Sequence, residues 1–135
     1  MNTVLFDLLY AQPLNGTRFH GGGEYIKSVF QALAEQYDGQ YTLEVCFDPE
    51  AFLDQWILDI IGEKKIRVHS VKSAQEICEV LKSYREKNTV RFFTGMIYQY
   101  SEVDFPAGVV KIGVCHGLRG IEKPYDGYAL RFRAS

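Results

Sequence analysis

Apolar residues fall along the chain in two alternating rhythms. Runs rich in β-branched and aromatic residues occur at "TVLFDLLY" (3–10), "YTLEVCF" (41–47), "KIRVHSV" (65–71), "TVRFFTG" (89–95) and "VVKIGVCHG" (109–117). Helical spacing separates the first four. Ile26, Val29, Phe30 and Leu33 fall at i, i+3, i+4, i+7 and make one apolar face. Leu53, Trp56, Ile57, Ile60 and Ile61 repeat the face, preceded by Asp48 and Pro49, which read as N-cap and first helical residue. Ile77, Val80, Leu81 and Tyr84 make a third, with Ser73 and Glu76 at the spacing of a capping box. Strand and helix in alternation imply parallel strands joined by crossover helices. The pattern predicts an α/β fold: a Rossmann-like open parallel sheet of about five strands with helices on both faces. Residues 96–108 read as a short helix or loop between the last two strands.

With 135 residues the chain suits a single domain, 1–135, and it shows no internal repeat and no linker. "LRGIEKPYDGYALRFRAS" carries no clear element, and an open sheet that stops just after a strand leaves surface uncovered. The expectation is therefore a piece of something longer. Composition narrows the function classes. Net charge is −2 with no block of lysine or arginine, which argues against a nucleic-acid footprint and a basic membrane-docking surface. No apolar run approaches the roughly 20 residues that span a bilayer. The start "MNTVLFDLLYAQ" lacks a basic region and is interrupted by Asp7, so it reads as a strand and not a signal peptide. Cys46, Cys78 and Cys115 show no CxxC spacing, which favours reduced thiols and a cytoplasmic setting.

Two stretches carry candidate chemistry. In "NGTRFHGGGEYIKSVF" (15–30) three glycines stand directly before a helical pattern. Ligands of open α/β sheets gather beyond the carboxyl ends of the strands, where helix N-termini also point. Glycines there let an anion approach a positive dipole end without a Cβ in the way. The alternative is that Gly23 is a simple N-cap and Glu24 complements the dipole itself. The ten-residue connection between Tyr10 and Gly21 exceeds the usual strand-to-helix loop of about 2–6 residues, and long loops at this edge are commonly functional. A dinucleotide fingerprint fits poorly. Gly21 and Gly23 match its first two glycines and Asp48 lies 25 residues beyond Gly23, but position 26 is isoleucine and the glycines do not directly follow the strand.

The second stretch, "VVKIGVCHGLRG", puts His116 at the carboxyl end of the last strand, on the same edge as the glycines. A histidine there either serves a substrate hydroxyl or proton transfer, or bonds nearby backbone. His20, beside the glycines, is either exposed or lines the same cleft; His69, inside the third strand, reads as structural. Cys115, His116 and His20 have no metal-ligand spacing.

Together "GGGEYIKSVFQAL" after a long loop and "HGLRGIE" after a late strand resemble the N-terminal domain of GT-B fold retaining glycosyltransferases, in the family 4 branch that builds bacterial polysaccharides. The resemblance covers nearly the whole chain in element order and rests on these two motifs. It implies two Rossmann-like domains facing across a cleft, of which this is the acceptor-side half. The missing C-terminal domain, in cis, would grip a nucleotide-diphosphate sugar. Gly21, Gly22 and Gly23 match the loop that reaches the donor diphosphate, with Arg18 and His20 beside them as substrate-binding candidates; His116 matches the histidine beside the donor sugar. Arg119 either contacts substrate or pairs with Glu122 or Asp126. The implied reaction moves the sugar to a glycan or lipid-linked acceptor with retention and needs no metal or other cofactor. Any peripheral membrane contact would belong to the full-length protein. The family's second domain carries two glutamates separated by seven residues, a spacing no pair here shows, so this chain alone is expected to be inactive. The competing readings are a stand-alone α/β module that binds a phosphorylated or sugar ligand, and a domain that works with a separate partner chain.

Overall fold

A computed structural model describes residues 2–13 and 21–113. Strands β1 (Thr3–Asp7), β2 (Thr42–Phe47), β3 (Arg67–Ser70), β4 (Val90–Thr94) and β5 (Val110–Gly113) form one all-parallel sheet in the order β3-β2-β1-β4-β5. The helices are α1 (Gly21–Glu35), α2 (Gln55–Glu63) and α3 (Ala74–Lys82). From β1 the chain steps outward to β2 and β3 through α1 and α2, which share one face. It then returns through α3 on the other face to β4. Right-handed crossovers require that a reversal of direction also switch faces. The fold is thus the α/β, Rossmann-like open sheet that the alternating pattern predicts.

Register and the period-two alternation of side chains divide the core in two. Val4, Phe6, Leu43, Val45 and Phe47 face Ile26, Phe30 and Ala34 of α1 and Ile57 and Ile61 of α2. Leu5, Cys46, Val90 and Phe92 face Ala74, Ile77, Cys78 and Leu81 of α3, with Tyr100 beside them. Phe6 stacks on Phe93 at 4.9 Å between ring centroids and meets Phe30 edge-on at 5.6 Å. Such pairs add about 0.5–1.5 kcal/mol each beyond the area they bury. Ser73 caps α3 by accepting the Glu76 amide on Oγ at 3.2 Å, so this half of the capping box forms as its spacing indicates.

Two local expectations change, and the expectation for residues 96–108 holds. The first strand ends at Asp7, and Leu9–Ala11 form a 3-10 turn whose apolar residues still pack inward, which is why the hydrophobic run overshoots. Helix α2 starts at Gln55 with Asp54 as N-cap, not at Asp48 and Pro49. Asp48 Oδ1 instead accepts the Glu50 amide, and the buried Gln12 amide binds the Asp48 N–H and the carbonyls of Asp48, Ala51 and Phe52. That clasp holds 48–52 as a loop. Residues 96–108 contain a 3-10 turn, Ile97–Tyr100, followed by a loop.

Candidate functional site

All five parallel strands end at one edge, and the connections that leave it define the candidate region. Gly21, Gly22 and Gly23 lie there as the first turn of α1, and not as a loop ahead of it. Gly22 and Gly23 are buried, while Gly21 is exposed and, among the described residues, nothing lies within 4 Å of where its Cβ would stand. The turn is pressed against the exit of β4. A Cβ on Gly95 would sit 2.6 Å from the Gly22 carbonyl oxygen and 3.1 Å from Ile26 Cβ, so only glycine allows this approach. Glu24 does not face this turn alone: its carboxylate pairs with Lys27 Nζ at 2.6 Å, and the buried Lys27 also holds Asp54 at 2.9 Å. The ammonium thus balances the acid that complicates an anion site, and it ties α1 to the start of α2.

Beneath the edge lies a polar cluster in the middle of the sheet. Asp7, fully buried at the end of β1, accepts Thr94 Oγ1 at 2.7 Å and Tyr100 Oη at 2.6 Å on Oδ2, and the Tyr10 amide at 3.2 Å on Oδ1. Thr94 Oγ1 in turn accepts the Met96 amide at 3.1 Å. One carboxyl thereby fixes three segments leaving the edge: 8–11 after β1, 95–96 after β4, and the Ile97–Tyr100 turn. Burial raises the Asp7 pKa above the ordinary carboxyl value against the opposing effect of these hydrogen bonds, and burial beside Asp7 pushes the Tyr100 phenol well up. Sequence patterning registered Asp7 only as a break in an apolar run. The available signal was a carboxyl in a strand buried on both faces, which requires donors from elsewhere in the fold.

A third feature occupies the β2–β3 side of the edge. A groove of about 330 Å³ runs between the Asp48–Glu50 turn and the 70–76 segment, walled by Pro49 and Val71 and fringed by Asp48, Glu50, Lys72 and Glu76. Lys72 Nζ spans from Asp48 Oδ1 at 3.2 Å to Glu50 Oε2. The Glu50 amide hydrogen bond, reinforced by Lys72, holds the Asp48 carboxyl below its ordinary pKa, and Glu50 with Asp48 raises that of Lys72. Asp48 and Lys72 therefore face the groove as an ion pair at neutral pH.

His69, next to last in β3 and level with Cys46, is held in a hydrogen-bonded cluster of its own. Its Nε2 lies 2.6 Å from Glu44 Oε1, which also accepts Tyr84 Oη at 2.5 Å. Burial works to raise the Glu44 pKa, and the hydrogen bonds from His69 and Tyr84 outweigh it, leaving the carboxyl below the ordinary value. Cys46 and Cys78 are buried free thiols. Of the sequence-derived site residues the structure brings the three glycines to the carboxyl edge; Arg18, His20, His116 and Arg119, together with Cys115, lie outside the described residues. Among the described residues no group of three or more His, Cys, Asp or Glu is placed to hold a metal ion, and no helix is long and apolar enough to cross a membrane. Comparison with protein-family models, with curated proteins and with solved structures gave no match.

Proposed function

We propose that this chain is the acceptor-side domain of a GT-B retaining glycosyltransferase, completed by a nucleotide-sugar-binding domain that follows it. One observation carries the reading. The glycine turn of α1 lies at the carboxyl edge of a parallel sheet, its first residue exposed and its second locked against the exit of β4. A helix start in that position favours negative charge through its dipole. In glycosyl transfer, negative charge develops on the departing diphosphate, and a preset cradle needs no rearrangement as the bond breaks. The Asp7 cluster supports the same reading, because it immobilises the segments that flank the turn. Within this proposal Gly21, Gly22 and Gly23 line the path of the diphosphate. His116 faces the donor sugar, and Arg18, His20 and Arg119 are substrate contacts.

The test is the full-length gene product. A downstream domain of roughly 150–200 residues with two glutamates separated by seven residues, and release of nucleoside diphosphate from one member of a nucleotide-sugar panel, are the expected results. A stop codon directly after Ser135, or a complete protein that turns over no nucleotide sugar, would overturn the reading. Gly21→Val is the sharper probe of the turn, since position 21 is exposed and meets none of the described residues, while position 22 is buried. It should reduce donor turnover about tenfold or more with little change in melting temperature.

A further inference from the structure

We propose that the groove between the Asp48–Glu50 turn and the 70–76 segment binds an uncharged ring carrying a vicinal diol, a furanose or a pyranose. The groove lies across β1 from the glycine turn, on the β2–β3 side of the edge, and the proposal does not depend on glycosyl transfer.

Its volume of about 330 Å³ holds one sugar ring, at the small end of ligand pockets. Pro49 offers an apolar wall to the C–H face of such a ring, while Val71, which also lines the groove, is itself buried. Charge then selects among ligands. Three carboxylates, Asp48, Glu50 and Glu76, surround one ammonium, Lys72, so a phosphate would meet an excess of like charge. An ammonium ligand would meet Lys72, which already occupies the position between Asp48 and Glu50. A neutral hydroxylated ligand suffers neither repulsion.

Donor and acceptor bookkeeping makes the diol specific. Asp48 Oδ1 is used by the Glu50 amide and Lys72, while Oδ2 makes no hydrogen bond among the described residues. Lys72 has three N–H donors and gives two, to Asp48 and Glu50. One acceptor and one donor therefore remain side by side, both on ionised groups. Two adjacent hydroxyls satisfy them together: one donates to Asp48 Oδ2, the other accepts from Lys72 Nζ, and hydrogen bonds to charged groups are the stronger kind. The walls are also preset. Gln12 clamps the 48–52 loop through both its amide atoms, the Val71 amide bonds the Phe47 carbonyl, and Ser73 caps the helix that carries Glu76. Little ordering is left for the ligand to induce.

Amide chemical-shift titration of the ¹⁵N-labelled 135-residue chain tests this with four probes: methyl α-glucopyranoside, uridine, 2′,3′-dideoxyuridine and inorganic phosphate. Saturable shifts at Asp48, Glu50, Val71 and Lys72 with the glucoside or uridine, and none with the dideoxynucleoside, are expected. The glucoside alone would assign a glycan, uridine alone a nucleoside, and both support the site. Asp48→Asn keeps the acceptor for the Glu50 amide, and Lys72→Met removes the remaining donor; each should weaken binding about tenfold. Equal response to uridine and its dideoxy analogue, response to phosphate alone, no response to any probe, or undiminished binding in Lys72→Met would overturn the proposal.

Discussion

The two faces of the sheet are built differently. Toward α1 and α2 the strands present Val4, Phe6, Leu43, Val45 and Phe47, and the nearest buried charge, Lys27, sits on the helix side and not on a strand. Toward α3 the sheet presents Asp7, Glu44 and Thr94, the three buried polar strand residues among those described: Asp7 accepts from Thr94 of β4 and from Tyr100, and Glu44 is bonded to His69 of β3 and to Tyr84. One face holds by area, which is tolerant of direction. The other holds by donor and acceptor geometry, which is not. A parallel sheet whose polar network is confined to one side keeps full hydrophobic cohesion on the other. The carboxyl edge inherits its rigidity from the polar side, through Asp7.

Substitutions should separate the two faces. Phe6→Ala removes a fully buried ring that touches both Phe30 and Phe93, and should cost about 3–5 kcal/mol in denaturant unfolding. A loss below that of Asp7→Ala would erase the contrast drawn above. Asp7→Ala strands the Tyr10 amide and the Thr94 and Tyr100 hydroxyls, for a loss of about 1–3 kcal/mol, and hydrogen exchange should rise around residues 94–100 before it rises in α1.

The pH profile sharpens the comparison further, because both buried strand carboxyls lie on the α3 face and their signs oppose. Glu44 is depressed in the fold, so its contribution is present above 4.5, the unfolded value, and is lost as pH falls through the folded pKa. Asp7 is raised, so stability is greatest below its unfolded value of 3.8 and declines as pH rises through the folded pKa. Thermal melts of Glu44→Gln should therefore lose part of the acid-limb decline, and those of Asp7→Asn should lose the opposite slope. An unchanged acid limb in Glu44→Gln would remove Glu44 from the account. The smallest effect is at the helix cap: Ser73→Ala should cost about 1 kcal/mol, read from the denaturant midpoint.

Much of this architecture is legible in the residues, for reasons that can be named. Ile77 and Leu81 bury as their spacing requires, and Ser73 accepts the Glu76 amide, because both signals are local to one helix. Asp48 and Pro49 mislead because the same dipeptide that opens a helix also makes a turn. The choice is settled by Gln12, 36 residues away, whose buried amide has no pattern to announce it. The site divides likewise. The glycines are visible as a run, and their place at the carboxyl edge follows from alternation. Their inclusion in the helix and the close approach of Gly22 to Gly95 are marked by no spacing in the sequence. Asp7, Thr94 and Tyr100 assemble only through sheet pairing between β1 and β4, and the Asp48–Lys72 pairing only through the neighbouring ends of β2 and β3.

The meeting of Gly22 with Gly95 has a consequence for how this protein tolerates change. Gly95 cannot gain bulk by itself, since the Gly22 carbonyl fills the space its side chain would need, so a helix start and a strand exit 73 residues apart are obliged to drift as a unit. Whatever rearranges the tail of β4, be it a loop insertion, a graft or an engineered hinge, will also tilt the opening of α1.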